Sequence, residues 1–261
     1  MPRTMTTIVT LNTRGLPLKG TRIAERCTKI ATELGAGDID MVCLQEVFTY
    51  RQLAHLRRPF PHVAYRRSAL GPAGGLVILS RLHLAGSEYA RLPQPRRGSR
   101  LPVRARVNAL RSGMLSVRLA DSGVRVVNVH PVANTDGDWS EGNRFRHVQS
   151  EQFDALARVV AADNSPTVVC GDFNTARSST LHGDLWRRTG LRDAFNGECP
   201  PTFHQEFLPP GSTPHCIDFI LATEGLGVEE TDLLFTDRRR MTSGTGYVSD
   251  HIGLLARLGI P

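Results

Sequence analysis

Residues 249–251 read Ser-Asp-His and stand directly before an apolar run, Ile252 to Leu258. An acid and a histidine at the mouth of a buried strand are costly unless something solvates or uses them. The same pattern recurs along the chain. Asn12 closes TTIVTL, Glu46 closes MVCLQE, and His130 closes VVNVH. Asp172 and Asn174 follow TVVC in GDFNT, and Asp218 lies inside CIDFIL. Asn12, Asp172 and Asn174 are each of a type common in turns, and His130 alone would fit a satisfied core histidine. Asp218, flanked by apolar residues, needs a partner, and a histidine suits it. The joint occurrence is the signal, because six strand ends carrying such groups could meet at one edge of a fold.

The elements that would position them follow from apolar spacing. TTIVTL at 6–11 reads as a strand. Ile23, Cys27, Ile30, Ala31 and Leu34 then mark a helix that Gly35–Gly37 ends. IDMVCLQE and TVVCGD are runs apolar enough for strands buried on both faces. A short helix is expected over 51–58, and strands over 62–66, 75–80, 113–119 and 124–130. A long amphipathic helix is expected from Arg144 to Val160 and another over 179–189. Strands near 215–222, 231–235 and 252–258 complete the chain. Many strands with a few long helices predict an α+β fold of two packed sheets with helices outside. No linker or repeat divides the chain, so residues 1–261 are read as one domain.

Composition narrows the function classes. The chain is 40% hydrophobic with no low-complexity block, which excludes a disordered tail or a fibre. No apolar run is long enough to span a bilayer. The N-terminal MPRTMTTIVTLNTRG lacks a signal core and cleavage site, so a cytoplasmic location is expected. Five cysteines without CxxC spacing argue against a zinc-thiolate site, while Cys199 and Cys216 could pair across a loop. The formal charge is +7, and of 32 basic residues only Lys19 and Lys29 are lysine. A GC-rich genome would produce that bias. So would selection for phosphate binding, which the arginine fork suits. The densest cluster is PRRGSRLPVRAR at 95–106. It fits nucleic acid or an anionic membrane equally.

LNTRG, LQEV, NVHP, GDFNT, IDFIL and SDH, in this order, resemble the endonuclease/exonuclease/phosphatase (DNase I-like) superfamily over almost the whole chain. GPAGGLVILSRLHL at 71–84 is similar to a segment of its sphingomyelinase-like members. The resemblance implies a four-layer α/β/β/α sandwich of two mixed sheets flanked by helices. It implies Mg²⁺, with Mn²⁺ as the alternative, held by Glu46 and Asn12 with Asp250 near the metal. It gives His251 the scissile phosphate and the water, Asp218 the orientation of His251, and Asp172 with Asn174 the nucleophile and phosphate. His130 becomes a phosphate contact, and Arg146 and Gln149 on the long helix support the rim, with Arg146 a candidate substrate contact.

The implied activity is metal-dependent hydrolysis of a phosphoester, with water activated through the His-Asp pair. A phospholipid phosphodiesterase leads and a DNA or RNA nuclease is the alternative. A phosphate-containing lipid or nucleic acid, and peripheral contact with an anionic membrane, are the expected partners. No protein partner is evident. A catalytically silent binding module would be expected to have lost the acid or the histidine, and both are present.

Overall fold

The computed structural model describes residues 4–16, 20–96, 101–134 and 137–260, apart from the Arg104 side chain. The chain runs β1 (Thr4–Asn12), α1 (Ile23–Ala36), β2 (Met41–Gln45), α2 (Tyr50–Leu56), β3 (His62–Ala64), β4 (Val77–Ser80) and β5 (Leu84–Arg91). Next come α3 (Val103–Ala109), β6 (Gly113–Leu119), β7 (Arg125–His130), α4 (Arg146–Ala161), β8 (Thr167–Asp172) and α5 (Thr180–Thr189). Strands β9 (Leu191–Asp193), β10 (Asp218–Thr223), β11 (Gly227–Leu234), β12 (Arg239–Met241), β13 (Gly244–Gly246) and β14 (Gly253–Ile260) follow.

Two six-stranded mixed sheets form the centre, ordered β11-β14-β1-β2-β4-β3 and β5-β6-β7-β8-β10-β9. Residues of both sheets share one apolar cluster, including Ile8, Cys43, Ile78, Leu254, Val126, Cys170 and Ile220. The outer face of the first sheet buries α1 and α2 through Cys27, Ile30, Leu34, Leu53 and Leu56. The outer face of the second buries α4 and α5 through Phe153, Leu156, Val160, Leu181 and Leu185. This is the expected four-layer α+β sandwich. No described helix is long and apolar enough to cross a membrane.

Strand direction decides where the polar ends go. β1 runs parallel to β2 and antiparallel to β14, with Asn12 beside Gln45. β7 runs parallel to β8, and β8 antiparallel to β10, with Asp172 opposite Asp218. The C-terminal ends of β1, β2, β7 and β8 therefore share one edge of the sandwich with the N-terminal ends of β10 and β14.

A buried amide pair ties the two sheets together. Gln45 Nε2 donates to Asn128 Oδ1 at 2.7 Å, and Asn128 Nδ2 donates to the carbonyls of Leu44 and Val77 at 2.8 and 3.0 Å. Buried polar groups that lose their partners are expensive. Asn128→Ala should lower stability by about 3 kcal/mol, counting the stranded Gln45 amide and the cavity left. Urea unfolding would measure it, and a loss under about 1 kcal/mol would mean the pair contributes little.

Several elements differ from expectation. β5 was not expected, since it is a mostly exposed edge strand with a glycine at 86 and no apolar alternation. α3 was hidden within the arginine cluster, of which residues 97–100 lie outside the described residues. The short β9 and the β12–β13 ribbon have too few apolar residues to mark them in the sequence. All five cysteines are free thiols, with the Cys199 and Cys216 thiols in contact with each other.

Candidate active site

Asn12, Glu46, His130, Asp172, Asn174, Asp250 and His251 line a single cleft of ≈ 450 Å³. Asp218 lies outside the lining, fully buried, and meets His251 Nδ1. The eight residues read from strand ends are thus brought together. Arg146 is not. Its guanidinium pairs with Glu141 and donates to Thr180 Oγ1 at 2.7 Å, clear of the cleft lining. In this structure Arg146 is engaged by Glu141 and the start of α5. A helix-start arginine cannot be assigned a direction from sequence. Gln149, on the same helix, is fully buried and donates to the Asn174 carbonyl at 2.8 Å.

The acids and imidazoles alternate across the floor. Asp218 Oδ2 lies 2.9 Å from His251 Nδ1, which leaves His251 Nε2 facing Asp172 Oδ2 at 3.7 Å. His130 Nε2 lies 3.5 Å from the same Asp172 oxygen. Asn12 Nδ2 donates to Asp172 Oδ2 at 2.9 Å, and the Asn174 N–H donates to Asp172 Oδ1 at 2.8 Å. Phe203 closes over His251 edge-to-face with centroids 4.9 Å apart.

This alternation sets the proton affinities. Burial would lower His251, but Asp218 and Asp172 outweigh it and push the imidazole up to about 10. Burial would raise Asp172, but the His251 and His130 charges and the Asn12 amide bring it down to about 2. His130 is raised as well, because the Asp172 carboxylate overcomes its burial. At neutral pH the floor holds a cationic His251 between two carboxylates.

Glu46 contributes a further wall of the cleft. It closes β2 with a left-handed backbone, φ 61°, which a non-glycine residue adopts only when its surroundings enforce it. Gly15 supplies that enforcement. A Cβ there would fall 1.6 Å from the Glu46 carbonyl oxygen, and the Gly15 N–H donates to Glu46 Oε2 at 3.0 Å. Burial raises the Glu46 pKa, Asp250 and Asp172 add repulsion, and the two imidazoles oppose it.

Residues that sequence reasoning passed over hold this wall in place. Arg26, buried in α1, donates to the carbonyls of Thr13, Arg14, Thr21 and Val248 at 2.7–2.8 Å. One guanidinium thereby joins the LNTRG turn to the segment before Asp250. Arg14 Nε pairs with Asp250 Oδ2 at 3.3 Å and lies over Phe207. Ser249 Oγ donates to the Asn12 carbonyl at 2.6 Å, which fixes the SDH turn against β1. An arginine inside a helix pattern gave no sequence signal for this.

Two donor sets compete for a metal ion. Asp172, Asp218 and His251 offer ligand atoms within 4.8 Å of one another. Asp218 Oδ2 and His251 Nδ1 are already paired, and Asp218 is fully buried, away from the water shell a hard cation keeps. Glu46, Asn12 and Asp250 instead open onto the cleft with oxygen ligands. A divalent cation there would relieve the repulsion among Glu46, Asp250 and Asp172, so these residues fit the group. Among the described residues, His130 Nδ1, Ser112 Oγ and Trp139 Nε1 of the cleft are buried without a hydrogen-bond partner. Such atoms are the ones a ligand would satisfy.

The family model described as "Endonuclease/Exonuclease/phosphatase family" matches residues 9–251. An endonuclease/exonuclease/phosphatase family protein from Bacteroides thetaiotaomicron is similar in structure, with TM-score 0.72, 18% identity and coverage of 99% of this chain and 96% of that one. So is a humanized TDP2 of D. rerio, with TM-score 0.72, 13% identity and coverage of 98% and 99%. Sphingomyelinase C from Streptomyces griseocarneus gives TM-score 0.68, 17% identity and coverage of 97% and 99%. A search of the curated proteins finds no match.

Proposed function

This chain belongs to the endonuclease/exonuclease/phosphatase family of phosphoester hydrolases, and from that premise we propose that it is a Mg²⁺-dependent phosphodiesterase whose substrate is a phospholipid. The observation that carries the chemistry is the Asp218–His251–Asp172–His130 series gathered with Glu46 at one cleft. Glu46 and Asn12, with Asp250 beside them, would hold the cation, and their all-oxygen character favours Mg²⁺. Bound there, it would neutralise phosphate charge and stabilise the leaving oxygen.

The chain's own residues do the rest. Asp218 keeps the Nδ1 proton of His251 in place, so Nε2–H points into the cleft and donates to a phosphate oxygen. Asp172 accepts a hydrogen bond from the attacking water between the two imidazoles and takes its proton as the bond to phosphorus forms. Asn174, fixed by Asp172 and Gln149, orients a phosphate oxygen, and His130 donates from the opposite side.

The rim favours a lipid. Leu16, Phe48, Trp139, Phe203, Phe207, Leu208 and Pro209 line the cleft. An apolar rim suits acyl chains and glycerol or sphingoid carbons better than a sugar-phosphate backbone. The test is product release from phospholipid vesicles, supercoiled plasmid, single-stranded RNA and bis-p-nitrophenyl phosphate, each with Mg²⁺ and with EDTA. EDTA-sensitive cleavage of phospholipid alone among the natural substrates is expected. Cleavage of plasmid or RNA instead would overturn the lipid assignment, and hydrolysis that persists in EDTA would overturn the metal.

A further inference from the structure

Large apolar side chains exposed among the described residues are few: Leu70, Val103, Val107, Leu110 and Val228. Three of them lie on or just after α3, at spacings of four and three residues, with exposures of 72%, 51% and 53%. They form one stripe of the helix. The other face is spent on the core, where Ala105 and Ala109 pack with Leu101 against Val132, Phe145 and Val148. Among the described residues the stripe is thus an apolar surface without a partner.

A second protrusion stands beside it. Leu70 is 81% exposed, at the tip of the 66–72 turn that the Arg67–Pro72 bridge closes. That turn rests on Phe48, since a Cβ at Gly71 would fall 2.3 Å from the Phe48 carbonyl oxygen. The Arg111 guanidinium, just past α3, lies 4.9 Å over the Phe48 ring. Phe48, Asn108 and Arg111 all line the catalytic cleft. Both protrusions therefore flank the same stretch of its mouth.

The two segments carry charge of one sign. Residues 66–75 and 101–112 contain five arginines, Arg66, Arg67, Arg104, Arg106 and Arg111, and no acid. Arg66, Arg67, Arg106 and Arg111 are exposed. Exposed aliphatic side chains interspersed with arginine match an anionic lipid surface, where the methyl groups enter the acyl boundary and the guanidinium groups meet phosphates. A nucleic acid would use the arginines but gain nothing from valine and leucine, and no aromatic residue lies in either segment to stack on a base.

We propose that α3 and the 66–72 turn dock the protein on an anionic phospholipid bilayer, so that the cleft opens toward the membrane surface. The purpose of this docking rests on the phospholipid reading above, but its test does not. Sedimentation with vesicles of phosphatidylcholine alone, and of phosphatidylcholine with phosphatidylglycerol, is measured in EDTA, where no turnover occurs. Wild-type protein should partition onto the anionic vesicles and be released by salt.

The triple variant Val103→Ser, Val107→Ser, Leu110→Ser should bind them at least tenfold more weakly, and Leu70→Ser should weaken binding to a smaller extent. Hydrolysis of soluble bis-p-nitrophenyl phosphate with Mg²⁺ should stay at the wild-type level in both, since none of these side chains lines the cleft. That control separates the two ideas. Binding without turnover of any phosphodiester would leave the docking surface standing and sink the enzymatic reading. The docking proposal is overturned if wild-type protein ignores anionic vesicles, if the triple variant binds them equally, or if the substitutions weaken binding to duplex DNA but not to lipid.

Discussion

Glu46→Gln is expected to lower turnover by about three orders of magnitude while leaving the metal-free protein at least as stable as wild type. The first half follows from charge. The amide keeps the shape and can still accept from the Gly15 N–H, but it offers a cation only a neutral oxygen. Removing a principal carboxylate from a site that stabilises transition-state charge costs several kcal/mol, and each 1.36 kcal/mol is tenfold in rate. The second half follows from the same electrostatics read in the opposite direction. Glu46 has a raised pKa because burial, Asp250 and Asp172 all penalise its charge. An acid whose folded pKa lies above its unfolded one destabilises the fold once it ionises. Neutralising it removes that strain. Mg²⁺ should therefore raise the melting temperature of wild type through mass action and leave that of Glu46→Gln unchanged. If the variant keeps wild-type turnover, or if Mg²⁺ stabilises both proteins equally, Glu46 does not hold the metal.

The sequence exposes the floor of this cleft and conceals its wall. Asn12, Glu46, His130, Asp172 and Asp218 are legible because each ends or begins an apolar run, and strand ends of a packed sheet must gather at an edge. The two sheets and the long helices are legible for the same reason, since buried faces impose periodicity. What fails to show is whatever owes its position to tertiary contact. Arg26 looks like any helical arginine until its four carbonyl acceptors are assembled from three separate segments. Gln45 and Asn128 sit inside apolar runs, where a polar residue suggests a strand's solvent side, yet they face each other across the sandwich. Arg146 is equally illegible, because its contacts with Glu141 and the start of α5 join segments far apart in sequence. α3 was masked by its own composition, because arginine on alternate positions hid an apolar stripe.

Asp218→Asn should cost a large part of the activity, although Asp218 touches no substrate. Its effect passes through His251. In wild type the carboxylate accepts from Nδ1 at 2.9 Å, and with Asp172 it holds the imidazole in its protonated form up to about pH 10. An asparagine can present its N–H₂ to Nδ1 as readily as its oxygen. The imidazole then loses both the fixed proton on Nδ1 and the charge that kept Nε2–H available. A wrong tautomer in a comparable acid–histidine pair costs ~10⁴ in turnover, and a loss of at least ~10² is expected here.

A structural role alone would not produce the accompanying pH signature. His251 has a folded pKa above its unfolded value, so its contribution to stability is complete below about 6.5 and disappears as pH rises through about 10. Wild-type protein in EDTA should consequently lose melting temperature across pH 7–10, and Asp218→Asn should show a shallower decline over the same window. Toward acid the two should differ as well, because burial raises wild-type Asp218 to about 6 and its ionisation removes stability between about pH 3.8 and 6, a loss the asparagine does not have. Asp172, lowered to about 2, gives stability that is present above its unfolded value near 3.8 and lost as pH falls through about 2 in either protein. Equal alkaline slopes in the two proteins would mean that Asp218 does not set the charge on His251, and the route from Asp218 to the phosphate would have to be abandoned.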